Sequence, residues 1–188
     1  LQKLGTEYDK MIGAQTVTWD GEEKTIAQMR PVLMGNDRAR REEAWKLIHA
    51  RQIQDRDALN VLWVKLLRLR QQIAHNAGFS DFRAYAWQAL GRFDYTPEDT
   101  LRFHEAIEQV VVPAVQRLNE KRRAALGVDA LRPWDLDVDP QQRPPLKPFQ
   151  TGAELEAGTA RIFQQVDADL GRYFGEMADR GLLDLENR

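Results

Sequence analysis

Residues 36–78 read NDRARREEAWKLIHARQIQDRDALNVLWVKLLRLRQQIAHNAG, with no proline and no glycine before Gly78. Trp45, Ile48 and Gln52 or Ile53 fall on one stripe of the first half. Leu59, Leu62, Leu66, Leu69 and Ile73 recur at alternating three- and four-residue steps in the second, with Trp63 and Leu67 widening the face. Those steps follow the 3.6-residue period and predict helix, not strand. Unbroken, the stretch would form a rod of roughly 60 Å at 1.5 Å per residue. A break near Asp55-Arg56-Asp57 is the competing reading. Asn76-Ala77-Gly78 supplies a C-terminal stop.

Toward the N-terminus, Leu1, Leu4, Tyr8 and Met11 are spaced as one helix. Thr16-Val17-Thr18-Trp19 favours strand, and Asp20-Gly21 suits a type I′ turn before Glu22-Glu23-Lys24-Thr25. Thr25 and Gln28 are spaced as a capping box for a short helix ending at Gly35. Toward the C-terminus, Ser80-Asp81 begins a helix through Trp87 and Leu90. Thr96-Pro97-Glu98-Asp99 then provides an N-cap, a first-turn proline and two acids facing the helix dipole. The helix it starts carries Leu101, His104, Ile107, Val111, Val115 and Leu118 to Gly127, with Pro113 expected to kink it.

Five of the eight prolines lie between Pro133 and Pro148, around Trp134-Asp135-Leu136-Asp137-Val138. That composition predicts an exposed connector with one short strand. Thr151 and Glu154 open a last helix along Leu155, Ile162, Val166, Leu170, Tyr173 and Met177. The sequence therefore predicts an all-α bundle of long antiparallel helices with a small β-hairpin and a proline-rich connector. It forms a single helical lobe over 1–188: a start with the hairpin (1–35), main helices (36–127), connector (128–150) and last helix (151–188). No repeat of fixed period suggests a solenoid.

Composition narrows the function. Of 188 residues 43% are hydrophobic and 30% charged, which suits a packed globular chain. Lysine and arginine total 27 against 29 acids, a net charge of −2, so neither nucleic acid nor a membrane surface is an expected partner. The absence of cysteine removes disulfides, thiolate metal sites and cysteine nucleophiles together. With no apolar span and no leader, a cytoplasmic location is expected. The opening on Leu1 suggests a piece of a longer polypeptide.

Candidate chemistry is sparse. Ser80 is the single serine, at a helix start, and no glycine-rich phosphate loop occurs. His104-Glu105-Ala106-Ile107-Glu108 begins as HExxH does, but Glu108 stands where the second imidazole ligand belongs. His104 falls on the apolar stripe, where a hydrogen-bonded core histidine is expected. His49 and His75 each sit alone on a helix, suited to packing or to helix-end carbonyls. Arg38, Arg40 and Arg41, followed by Glu42 and Glu43, suggest a solvated face with ion pairs, as do Arg68 and Arg70. Trp45, Trp63 and Trp87 are expected as core anchors. No catalytic, cofactor-binding or metal-binding residue is assigned within 1–188.

Several segments, taken in order, resemble the oligoendopeptidase F and thimet oligopeptidase-like zinc metallopeptidases. They are Trp19-Asp20-Gly21-Glu22-Glu23, Asn36-Asp37-Arg38 with Arg41-Glu42-Glu43-Ala44-Trp45, and Ala77-Gly78-Phe79-Ser80-Asp81-Phe82-Arg83-Ala84-Tyr85. Phe93-Asp94-Tyr95-Thr96-Pro97-Glu98-Asp99, Val111-Val112-Pro113, Leu126-Gly127 and Arg132-Pro133-Trp134-Asp135-Leu136 continue the series. The resemblance implies a helical enzyme with a deep cleft for short peptides, and a zinc held by HExxH and a downstream glutamate. All of those elements would lie beyond Arg188, so zinc is expected in the full-length parent and no cofactor in this chain. The expected role is a helical lobe of an oligopeptide-hydrolysing metalloendopeptidase, inactive alone, whose partners are the missing catalytic half and the parent's oligopeptide substrate. The alternative is a non-enzymatic helical scaffold or protein-interaction module.

Overall fold

A computed structural model describes residues 1–144 and 146–185. They divide into two compact units, Leu1–Pro144 and Pro145–Arg188. The division falls inside the stretch read from sequence as a connector (128–150), and residues 186–188 of the expected last helix lie outside the described residues.

The first unit opens on α1 (Gln2–Gly13), followed by strands β1 (Thr16–Trp19) and β2 (Glu22–Thr25). The strands pair antiparallel with Trp19 opposite Glu22. Asp20 and Gly21 both take positive φ, 53° and 81°, as a type I′ turn requires. Thr25 and Gln28 form the expected capping box, each side chain accepting from the other's backbone N–H at 2.8 and 3.3 Å. A 3₁₀ turn (Ala27–Met29) and α2 (Arg30–Leu33) follow.

The long stretch is broken, as its competing reading had it, into α3 (Arg38–Gln54) and α4 (Arg56–Asn76). Asp37 caps α3 by accepting from the Ala39 and Arg40 N–H groups. At the break, Asp55 takes φ −90° and ψ 0°. Its carboxylate accepts from Gln15 Nε2 at 2.9 Å and Arg51 Nη1 at 2.7 Å, which ties the end of α1 to the bend. Gly78, at φ 80°, closes α4, with the Phe79 N–H donating to the Ala74 carbonyl and the Gly78 N–H to His75.

Short α5 (Phe82–Ala89) and a long interrupted helix come next. The latter is α6 (Pro97–Ala106), a π-helical stretch (Ile107–Val111) and α7 (Val112–Leu126). The predicted kink at Pro113 is thus a widened turn just before it. Pro113 cannot donate to the Gln109 carbonyl, and its ring would collide with that carbonyl in an α-helix. The Val112 N–H reaches back to Ile107 instead, an i→i−5 bond that makes room.

The core of this unit gathers Val17, Trp19, Met29, Ala44 and Ile48, with Ile26, Val32, Leu33 and Leu47 packed on it. The hairpin is therefore a lid on α2 and α3. Trp45 and Trp87 are half-buried, but Trp63, expected as a core anchor, is exposed along with Val61, Val64 and Leu67. The rest of the predicted face is covered, with Leu62 buried and Leu59, Leu66, Leu69 and Ile73 half-buried, while Trp63 has the Arg70 guanidinium 5.6 Å from its ring centre. The strand expected around Trp134–Val138 is instead a 3₁₀ turn (Pro133–Asp135). Pro133 and the Arg132 and Asp135 bonds favour a local turn over strand pairing.

In the second unit the expected single last helix is two helices, α8 (Gly152–Val166) and α9 (Ala168–Asp179). Asp167 lies at an extended φ/ψ and accepts from the Asp169 and Leu170 N–H groups, so an N-cap interrupts an otherwise continuous apolar period. The helices fold back with Phe163 edge-on to Phe174 at 5.3 Å. Gly171 lies against Gln164: a Cβ there would sit 2.9 Å from Gln164 Cα. Gly171→Ala should destabilise this hairpin. Its helix-propensity gain of about 1 kcal/mol is smaller than the roughly 1–3 kcal/mol of forced separation. All five tryptophans precede residue 145, so the loss is read by helical circular dichroism on heating, and an unchanged or raised Tm would contradict the close approach. Among the described residues no helix is long and apolar enough to cross a membrane.

Candidate functional site

Arg38 and Arg41 are one helical turn apart on α3 and point to one side. Both reach the carboxylate of Asp135, nearly a hundred residues later. Arg38 Nε and Nη2 donate to Asp135 Oδ1 and Oδ2, each at 2.9 Å, a bidentate fork. Arg41 Nη2 donates to Asp135 Oδ1 at 3.1 Å, and the Arg132 N–H to Oδ2 at 3.0 Å. Asp135 is fully buried, Arg41 is 2% exposed, and the rest of the Arg41 guanidinium donates to the carbonyls of Trp134, Gly35 and Asn36. Arg122 of α7 adds a bond to the Val138 carbonyl at 2.6 Å. Three arginines from two helices thus hold the turn after α7.

Burial alone would push the Asp135 carboxyl up, but the bonds from Arg38, the Arg132 backbone and Arg41 outweigh it and hold the group below the usual carboxylate range. The same pair raises the Arg38 guanidinium above its ordinary value. A carboxylate so held is a fixed anion, and its chemistry is positional: it neither gives nor takes a proton near neutral pH. Trp134 packs beside it, 5.5 Å from Trp45, with the Lys46 ammonium 5.8 Å from its ring.

The sequence placed Arg41 on a solvated face, and the structure corrects this. Glu42 pairs with Lys46, while Asp20 takes Arg40 at 2.5 Å, which leaves Asp135 to the buried Arg41 and the part-exposed Arg38. Nothing local marks Asp135 as their partner; the pairing is a tertiary event. Asp137 and Asp139 follow at two-residue steps, so the sequence does not single out Asp135 among them.

The histidines are scattered. His49 stacks on Trp45 at 3.8 Å and its Nδ1 donates to the Trp45 carbonyl at 2.8 Å, a packing role as expected. His75 is exposed in the last turn of α4. His104 is exposed as well, which overturns the expectation of a core histidine: the apolar stripe it shares is itself uncovered. Among the described residues no group of three His, Cys, Asp or Glu is disposed to hold a metal. The donors present do not fit the zinc that the sequence resemblance implies.

The comparisons decide the family. The sequence profile of peptidase family M3 matches residues 32–167. The chain belongs to that family. Among solved structures, 97% of the chain superposes on a Bacillus anthracis protein assigned as oligoendopeptidase F, with TM-score 0.88 and 22% identity, which shows the fold alone. A second protein assigned as oligoendopeptidase F and PZ peptidase A, solved with an inhibitor, each match 97% of the chain at 26% identity and TM-score 0.90. The M3 chain described here spans about a third of their length, 32–33%. No curated protein matches it.

Proposed function

We propose that this M3 chain forms a non-catalytic helical wall of a zinc-dependent oligopeptidase, shaping the cleft that admits short peptides, and that it is inactive alone. The observation that carries the reading is the family match over residues 32–167 of a sequence that contains no HExxH. Hydrolysis of a peptide bond by a metallopeptidase needs a cation held by correctly spaced ligands and a general base. In this reading those groups, and the zinc, belong to the remaining two-thirds of the M3 fold, and the substrate is a cytoplasmic oligopeptide. The part assigned to this chain is positional. The Arg38–Asp135–Arg41 cluster fixes the Pro133–Val138 turn against α3, and the hairpin at Trp19 braces the other side of the same helix.

The test is a pair of assays on a fluorogenic oligopeptide. The 188-residue chain should leave it intact. The reading frame extended past Arg188 should cleave it, lose activity to a chelator and regain it with zinc. A stop codon directly after Arg188, or cleavage by the short chain that survives the chelator, contradicts the reading; the first outcome favours the scaffold alternative.

A further inference from the structure

The interrupted helix is tied at both ends and bare in the middle. At its start Trp87 Nε1 donates to the Tyr95 carbonyl and packs on the Tyr95 ring at 5.2 Å. Near its end Arg122 and Arg123 bond the carbonyls of Val138 and Val128. Between these anchors α6, the π turn and α7 make their main contacts only with one another. From Gln109 to Gln116 no side chain is charged, and the run is Val110-Val111-Val112-Pro113-Ala114-Val115. Val110 is 66% exposed, Val111 47% and Val112 43%, and Leu101, Val115 and Leu118 are exposed beside them.

Three consecutive exposed valines do not form a stripe. Successive positions stand about 100° apart in an α-helix and somewhat less in a π turn, so Val110, Val111 and Val112 still spread over well more than 100° of the surface. A helix docked on one partner helix needs an apolar band of only about 100°. A helix that is apolar on several sides is one enclosed by polypeptide, and exposed patches of this kind mark contact surfaces. A second copy of the chain, meeting it across a two-fold axis, would cover one side and leave the others wet.

Resting on the function proposed above, we infer that the 107–118 segment is the strut around which the remaining two-thirds of the M3 fold closes, enclosing it on at least two sides. The occupant is chosen because the solved M3-like structures carry this fold over only 32–33% of their length, so each has ample further chain. The π turn fits the same role. It widens the helix ahead of Pro113 and turns the valines away from a regular α-helical register.

Freedom from cysteine makes the test direct. Val111→Cys, Leu118→Cys and, as an exposed control, Lys121→Cys are placed singly in the 188-residue chain and in the complete reading frame, then labelled with a maleimide. In the short chain all three should react at similar rates. In the complete protein Val111→Cys and Leu118→Cys should slow by at least about tenfold while Lys121→Cys does not, since thiol reactivity follows exposure. Equal labelling in both proteins overturns the inference. Protection in the short chain that grows with its concentration also overturns it, in favour of a second copy. Zinc content and peptide cleavage are measured on the same complete protein. Cleavage without protection sinks the strut alone, and protection without cleavage sinks the peptidase function alone.

Discussion

Asp135→Ala should lower the unfolding free energy of the first unit by about 3–5 kcal/mol, the usual loss when one partner of a buried ion pair is removed. Arg41 is buried and keeps its charge, so deleting the carboxylate leaves a guanidinium with only carbonyl partners. Arg38 contributes less to the loss, because its side chain is partly in water and rehydrates. Arg41→Met combined with Asp135→Leu should cost less than Asp135→Ala alone, since it removes both buried charges together. Denaturant titration followed by tryptophan fluorescence reads this unit selectively, because every tryptophan lies before residue 145. A midpoint for Asp135→Ala within error of the parent would mean that the cluster does not hold the turn.

The same carboxylate sets an acid limb. Its folded value lies below the ordinary one of 3.8, so its stabilising contribution is complete above that value and is lost as pH falls through the lower folded value. Below about pH 4 the unsubstituted chain should lose stability faster than Asp135→Asn does, whereas nearer neutral pH the two should run parallel. Parallel acid limbs in the two proteins would contradict the assignment.

Trp19→Ala should cost a comparable amount, about 3–5 kcal/mol, the range for deleting a large buried aromatic. Trp19 is the largest side chain of the core with Val17, Met29, Ala44 and Ile48, and the Arg40 guanidinium lies 4.8 Å from its ring centre. Its loss opens a cavity under the hairpin and removes the surface on which Arg40 rests. Trp19→Phe should retain much of the packing and lose less. The midpoint should shift without a change of denaturant slope, because the unfolded surface is almost the same. A small effect would show that the two strands are ornament rather than a clamp on α3.

How much of this was legible in the sequence follows a physical line. Local signals read well. The Asp20-Gly21 turn, the Thr25–Gln28 capping box, the Thr96 N-cap and the stop at Gly78 each depend on a few adjacent residues, and each stands where the residues put it. The break at Asp55 was open because apolar spacing runs through it; the deciding bond comes from Gln15, forty residues earlier. Asp167 splits the last helix by capping, and an apolar period that continues on both sides hid it. The burial of Arg41 and Asp135 was illegible for a different reason: charge patterning predicts solvation unless the tertiary partner is known. Conversely, apolar periodicity assigned Trp63 and His104 to a core, whereas both are exposed. Periodicity reports that a face seeks a partner, and not whether the partner lies within these residues.

If this M3 chain contributes shape and not the hydrolytic centre, it holds no zinc of its own. Equilibrium dialysis of the purified 188-residue chain against zinc, with metal analysis of the retained protein, tests it most directly. No stoichiometric zinc should be retained at concentrations where a metallopeptidase site is filled. One equivalent of tightly held zinc that disappears in His104→Ala would contradict it.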